Sequence, residues 1–356
     1  MLPVVVLLLA FSLAIGAQGP LLPTLARLDA LKLASIEGDV PVRYSTGVSR
    51  DVASALAGRI AECRGLLAAA AGRPSIVLAL LDRSDWERVS DRPYGMPHHG
   101  AADSPYVIVI PQNWRDAAAM FTGVRTHLAG ALGEDGVDRY VHLAAVHEAG
   151  HLLTNAALET TTEAIRTRFP FWYAEFLANY FADACLAPRA EESAFRRRGA
   201  AALAAIPRQR FTTLDDADRV LTESDPSGRP YVTTEAGGLN FARYQGFTSE
   251  MASRLRDAGL GTARIVEILR LQWARPGRQA TDVLLKDFAG IAPGWDEWLV
   301  QQGAIARLER QQPSRERHCG TAHSTDRVRN ANDAHPVPAI ECNIVITLEV
   351  SPPLLR

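Results

Sequence analysis

One short apolar stretch, "HLAAVHEAGHLLT" at residues 142–154, contains His147, Glu148 and His151. The stretch is typical of a helix, on which residues four apart are separated by about 40° around the axis. His147 and His151 therefore project from one face, where two imidazoles can bind one metal ion. Zn²⁺ prefers nitrogen ligands, and its catalytic sites add a third protein ligand and a position for water. Glu148 would lie beside that water as a general base.

A third ligand has to come from another segment, and Glu175 is the candidate. It is the only acid in the strongly apolar stretch "FPFWYAEFLANYF", at residues 169–181. Burying an ionised carboxylate is unfavourable unless it is paired or binds a metal. The alternative is that Glu175 is a partly exposed helix residue beside the core.

The segments "HEAGHLLT" and "FPFWYAEFLANY" together resemble the gluzincin metallopeptidases, in particular the peptidase MA-like group. The second segment of that group reads Pro-x-Trp-x-x-Glu followed by Leu-Ala-x-Tyr. The matching residues here are Pro170, Trp172, Glu175, Leu177, Ala178 and Tyr180. The resemblance extends over about residues 40–305, and it implies that Glu175 is the third zinc ligand.

This chain departs from the pattern of the group at two positions. Phe176 replaces the glycine that usually follows the ligand glutamate, which raises the question of how wide the pocket is. Many gluzincins have an aspartate four residues after that glutamate, where it accepts a hydrogen bond from a metal-bound histidine. Asn179 stands at that position, so either its side-chain oxygen or Asp183, one turn further, would be the acceptor.

The resemblance also implies a donor for the oxyanion that forms during peptide hydrolysis, because gluzincins bring a tyrosine or histidine from a later helix to that position. Tyr244, in "NFARYQGF", is the candidate. The alternative is a structural tyrosine whose hydroxyl contacts a backbone carbonyl.

Six other histidines are not predicted to bind metal. His98 and His99 lie in a loop rich in proline and glycine, where adjacent histidines are usually solvated. His142 is about 140° around the helix from His147. Three further histidines lie in the polar tail without metal-binding spacing: His318, His323 and His335.

The pattern of apolar residues predicts an α+β fold, with a small N-terminal subdomain of mixed strands and helix followed by a mainly helical, zincin-like catalytic domain. Residues 51–72 have helical spacing, whereas 74–81 and 105–111 are apolar runs typical of strands. From residue 117 the pattern is mostly helical. The run 339–350 has strand composition.

Four regions are predicted along the chain. They are a signal peptide (1–17), an N-terminal α/β part of the peptidase domain with an edge strand (18–135), a helical zinc-binding part (136–310) and a polar C-terminal tail (311–356). The edge strand is assigned to "PYVIVIP" (105–111), which would pair with an extended peptide substrate.

The N-terminal sequence "MLPVVVLLLAFSLAIGAQGP" indicates export. Its apolar run is shorter than the roughly 20 residues that a membrane-spanning helix needs, and small residues precede a cleavage position before Gln18. Export would deliver a secreted or periplasmic protein. An uncleaved leader would instead act as a membrane anchor.

Four cysteines, an even number, suit an oxidising compartment. Cys319 and Cys342 flank a polar stretch that a disulfide would stabilise. Cys63 and Cys185 lie in apolar helical patterns, where unpaired buried thiols are the usual interpretation.

The formal charge of −2, from 38 basic and 40 acidic residues, gives no electrostatic basis for binding nucleic acid or an anionic membrane. The function predicted from the sequence is a secreted zinc-dependent peptidase that acts on a peptide or protein. The alternatives are an inactive zinc-binding protein of the same fold, and an envelope interaction protein with an incidental H-E-x-x-H.

Overall fold

The computed structural model describes residues 24–100 and 105–305 of the chain. A mixed five-stranded sheet with helices is followed by a mainly helical region, which confirms the predicted α+β class. The strands are β1 (Ala34–Ile36), β2 (Val42–Tyr44), β3 (Ile76–Leu81), β4 (His98–His99) and β5 (Tyr106–Pro111). The α-helices are α1 (Thr24–Asp29), α2 (Arg50–Ala71), α3 (Arg83–Val89), α4 (Thr122–Leu132), α5 (Glu134–Ala157), α6 (Thr162–Arg168), α7 (Phe171–Leu186), α8 (Ala190–Ala204), α9 (Ala217–Thr222), α10 (Glu235–Asp257), α11 (Thr262–Ala274), α12 (Thr281–Lys286) and α13 (Trp295–Gln301).

The order of strands in the sheet is β1-β2-β3-β5-β4. The three central strands are parallel, and β1 and β4 pair antiparallel at the two sides. Both faces of β5 are covered, because Ile108 packs in a cluster with α5 whereas Val109 packs in a cluster with Trp86 of α3. Burial on both faces explains why β3 and β5 are continuous apolar runs and not alternating ones.

The position of β5 differs from the prediction that "PYVIVIP" is an edge strand. β5 has hydrogen-bonded neighbours on both sides, β3 and β4, so the edge belongs to the two-residue strand β4. The composition of a strand shows that it is buried, but it does not show which further segment pairs beside it.

Helices α5 and α7 cross in close contact at Gly150. A Cβ at this position would lie 2.9 Å from Cα of Ala178 and closer still to its carbonyl oxygen. A glycine is needed here because any side chain would force the two backbones apart. The crossing lies between His147 and His151 in sequence, so it also sets how near α7 comes to these histidines.

A disulfide joins Cys63 of α2 to Cys185 of α7, with 4.9 Å between the Cα atoms. The interpretation of these two cysteines as unpaired thiols is therefore wrong. Helical patterns showed that both thiols would be buried, but only the packing of α2 beside α7 brings them together. Cys319 and Cys342 lie outside the described residues, as do the leader (1–17) and the terminal strand (339–350).

Within residues 24–100 and 105–305, no helix has both the length and the apolar character required to cross a membrane.

Replacing Gly150 by Ala tests the α5–α7 crossing. We expect the free energy of unfolding to fall by about 1–3 kcal/mol, because the added methyl overpacks a backbone contact. Gly65 provides the control, because it is exposed in the middle of α2 with no atom near its missing Cβ. Gly65→Ala should gain up to about 1 kcal/mol from helix propensity. Urea unfolding of both variants measures the difference, and a Gly150→Ala variant as stable as wild type would contradict the crossing.

Candidate metal centre

Helices α5 and α7 place three potential ligands around one point. Nε2 of His147 lies 3.1 Å from Oε2 of Glu175, and Nε2 of His151 lies 3.5 Å from the same oxygen. One ligand atom from each residue lies within 4.8 Å of the other two. The side chains of His147 and His151 are each 11% exposed, and that of Glu175 is 9% exposed. The structure thus brings together the three residues that the sequence nominated.

The chemistry of this group suits a divalent transition metal. Two imidazole nitrogens and one carboxylate oxygen are a ligand set that zinc uses in catalytic sites. Burial alone raises the pKa of Glu175, but the charge of His151 and hydrogen bonds from both histidines outweigh it and hold the pKa well below the ordinary value. The carboxylate therefore stays ionised, as a metal ligand must be.

Asn179 fixes the orientation of His147. Its Oδ1 lies 3.0 Å from Nδ1 of His147, which leaves Nε2 of the same ring directed toward Glu175. Of the two acceptors that the sequence left open, the structure selects Asn179. Asp183 is one turn further along α7 and pairs instead with Arg197 and Arg256. An oxygen behind a ligand histidine fixes its ring and its tautomer.

Gln245 of α10 is a residue of the site that the sequence analysis missed. Its Nε2 donates to Oε2 of Glu175 at 2.6 Å. Further along, Thr248 accepts from Asn179 at 2.9 Å, and Ser253 donates to Asp183 at 3.2 Å. These contacts form a polar seam between α7 and α10, made by Glu175, Asn179 and Asp183 facing Gln245, Thr248 and Ser253. Gln245, Ser249 and Ser253 recur every four residues on α10, and this spacing was the available sequence signal.

Arg196 of α8 lies behind the ligands as a buried cation. Its guanidinium donates to Oδ1 of Asn179 at 2.5 Å and to Ser249 at 3.3 Å. Nη1 has no hydrogen-bond partner, and Arg196 makes no ion pair with any residue that the structure describes. Burial lowers the pKa of Arg196. The amide of Asn179 thus occupies a position at which a carboxylate would neutralise the charge of Arg196.

Glu148 lies next to the triad without belonging to it. Its Oε2 is 2.8 Å from Nδ1 of His99. Burial alone raises the pKa of Glu148, but the hydrogen bond from His99 and the nearby histidine charges outweigh it and lower the pKa to about 2. Glu148 is therefore an ionised acceptor at neutral pH, as a general base has to be.

The histidine pair lies in strand β4, each residue is partly buried, and both rings have partners within the protein, so their interpretation as solvated loop residues is wrong. Successive side chains of a strand point to opposite faces. His98 points toward α3, where its ring contacts Trp86 and its Nε2 lies 3.0 Å from Ser90. His99 points toward α5, where its ring lies 5.0 Å from that of His151. Burial lowers the pKa of His98 to about 4.

Phe176 packs away from the metal ligands. Its side chain is fully buried among aromatic rings that include Tyr173, Tyr180 and Phe288. The recess beside the triad is lined by other residues, among them Arg166. Phe176 therefore belongs to the core and does not line the recess.

Tyr244 and His142 each have a backbone carbonyl as hydrogen-bond partner. Tyr244 is 1% exposed, and its hydroxyl donates to the carbonyl oxygen of Thr213 at 2.5 Å. This is the contact expected of a structural tyrosine, and it is Gln245, the next residue, that reaches the triad. Nε2 of His142 lies 2.8 Å from the carbonyl oxygen of Gln112.

Comparison of the chain with models of protein families, with curated proteins and with solved structures finds no match. The class of site therefore rests on geometry alone. A buried His147–His151–Glu175 triad in a helical region is consistent with a zincin-like site of the H-E-x-x-H and downstream glutamate type.

Because Arg196 has no ion pair among the described residues, Asn179→Asp is an informative change. The new carboxylate would face Arg196 and still accept from His147. We expect a gain of about 1 kcal/mol in the free energy of unfolding, equivalent to roughly 2 °C in a chain of this size. Asn179→Leu removes both contacts and should destabilise the protein by about 3 kcal/mol or more, because it leaves the buried charge of Arg196 with the Ser249 hydroxyl as its remaining hydrogen-bond partner among the described residues. Thermal unfolding of the two variants measures the difference. A destabilised Asn179→Asp variant would contradict this account of Arg196.

Proposed function

We propose that the protein is a secreted zinc-dependent peptidase that hydrolyses peptide bonds in a peptide or protein substrate. The observation that carries the proposal is the convergence of His147, His151 and Glu175 beside the buried carboxylate of Glu148. A structural metal site has no need for an ionised carboxylate next to its ligands. A catalytic one needs it to handle protons.

Each residue of the site has a separate role in the proposed reaction. His147, His151 and Glu175 would hold Zn²⁺, which when bound supplies Lewis-acid chemistry that activates water and polarises the carbonyl of a peptide bond. Glu148 takes a proton from the attacking water and passes it to the departing amine. Asn179 keeps the His147 ring in place, and Gln245 holds the Glu175 carboxylate.

The edge strand β4 is the proposed place for the substrate backbone. Strand β5, the edge in the sequence prediction, is enclosed by its two neighbours. β4 lies at the side of the sheet and carries His99, which contacts Glu148. An extended peptide that adds to this edge would run past the triad, and its backbone hydrogen bonds would accept many sequences.

The disulfide between Cys63 and Cys185 is consistent with export, because such bonds persist in oxidising compartments. Together with the apolar N-terminal sequence it supports a secreted or periplasmic location for the peptidase.

The main test compares wild type with single variants of the four site residues. We expect near one zinc per chain in wild type by metal analysis, and no tight zinc binding in His147→Ala, His151→Ala or Glu175→Ala. Glu148→Gln should keep zinc and lose cleavage of a proteome-derived peptide library read by mass spectrometry, because its carboxylate acts on water and not on metal.

Each alternative function predicts a different result in this test. Zinc in wild type without cleavage of any peptide would show an inactive zinc-binding protein. No zinc would show that H-E-x-x-H is incidental. Full zinc occupancy in Glu175→Ala would contradict the assignment of that ligand.

Tyr244 is the remaining candidate for the oxyanion donor, and in that role its hydroxyl must exchange the Thr213 carbonyl for the substrate. The catalytic assignment predicts that Tyr244→Phe lowers kcat by about 10²-fold with KM little changed, because such a donor acts mainly in the transition state. Steady-state kinetics and thermal unfolding are measured together. Unchanged kcat with a loss of about 1 kcal/mol in stability would make Tyr244 structural.

A further inference from the structure

His99 is tied to three elements of the site at once. It lies on β4, and its side chain is 6% exposed. Nδ1 lies 2.8 Å from Oε2 of Glu148 on α5, and Nε2 lies 3.0 Å from Oγ1 of Thr162, the first residue of α6. Both ring nitrogens are therefore engaged. Neither is left to bind a metal, although the ring lies against that of His151.

The direction of these hydrogen bonds follows from the donors available. An ionised carboxylate can only accept, so the bond between His99 and Glu148 requires a proton on Nδ1 of His99. Oγ1 of Thr162 accepts from Nδ2 of Asn155 at 2.8 Å, which leaves its own proton for Nε2 of His99. The donors form one chain, from Asn155 through Thr162 and His99 to Glu148.

Asn155 connects this chain to the metal ligands. It lies on α5 one turn after His151, which itself lies one turn after His147, so all three project from the same side of the helix. Asn155 and Thr162 are 1% and 6% exposed. The hydrogen bonds that link Asn155, Thr162 and His99 limit the arrangements that these side chains can adopt.

We propose that His99 is the residue that positions the general base, an inference that rests on the proposed peptidase function. A glutamate carboxyl turns easily about its last bond. By donating to Oε2, His99 fixes that rotation and leaves Oε1 of Glu148 to take the proton from water. The side chain of His99 binds no metal and acts only through Glu148.

Two amide variants test the contacts of the two ring nitrogens of His99 one at a time. In asparagine the amide nitrogen is bonded to Cγ, as Nδ1 is in histidine, so His99→Asn keeps a donor toward Glu148. In glutamine the amide lies one atom further out, near the position of Nε2, so His99→Gln keeps a group beside Thr162 and lacks the donor at Glu148. The pair therefore differs at the one contact that the proposal requires.

Steady-state kinetics on a cleaved library peptide tests the proposal. We expect His99→Gln to lower kcat by about 10–100-fold with KM changed less than about 3-fold, because a misplaced base slows chemistry and not binding. His99→Asn should restore most of this loss. Zinc content and thermal stability should be similar in both variants. Equal kcat in wild type and in His99→Gln would overturn the proposal, as would loss of zinc in His99→Asn, because His99 would then be a ligand.

A measurement on the metal-free protein tests the hydrogen bond between His99 and Glu148 and does not depend on enzymatic activity. A long-range ¹H–¹⁵N spectrum distinguishes the tautomers of histidine, and His99→Asn identifies the signal of His99 among those of the nine histidines. We expect the proton on Nδ1, and a proton on Nε2 alone would overturn the proposal. A wild type that cleaves no peptide would refute the peptidase function, and the role of His99 with it. A cleaving wild type with an unaffected His99→Gln would refute only the role of His99.

Discussion

The packing of the helices around the site depends on one constraint, a carboxylate buried in an apolar helix. Glu175 lies among aromatic and aliphatic neighbours on α7, and such a charge is unfavourable in the interior unless other groups compensate it. Its Oε2 receives His147, His151 and Gln245, from two different helices. Helices α5 and α10 must therefore hold fixed positions against α7, and Gly150 permits the first of these approaches.

Further buried polar side chains on α7, away from the site, are also compensated by partners on neighbouring helices. Asn179 and Asp183 repeat the position of Glu175 at successive turns, and each meets polar partners on α10 and basic partners beyond it. Such a network is favourable only when its members are satisfied, since a buried polar group without a partner is costly. The exception is Arg196, whose oxygen partners among the described residues are an amide and a hydroxyl. Asn179 offers Arg196 a neutral amide, so the rear of the site carries a buried positive charge that no carboxylate of the described residues pairs with.

The front of the site depends on the sheet. β4 is only two residues long, yet it places His98 and His99 on opposite faces, so that one packs against α3 and the other reaches Glu148. The site is thus enclosed by a sheet edge on one side and by the seam of α7 and α10 on the other. Glu148 is held from the sheet side, whereas the ligands are held from the helical side, so base and ligands are positioned by separate parts of the fold.

The sequence by itself determined the features that depend on local periodicity. Four-residue spacing placed His147 and His151 on one face of a helix, a lone acid in an apolar run identified Glu175, and continuous apolar runs identified β3 and β5. Only the tertiary structure decided which elements face one another. It paired Cys63 with Cys185, enclosed β5 behind β4, brought Gln245 rather than Tyr244 to the triad, and turned His99 inward. The physical reason is that periodicity fixes which face of an element is buried, whereas the partner of that face is chosen by packing between segments far apart in the chain.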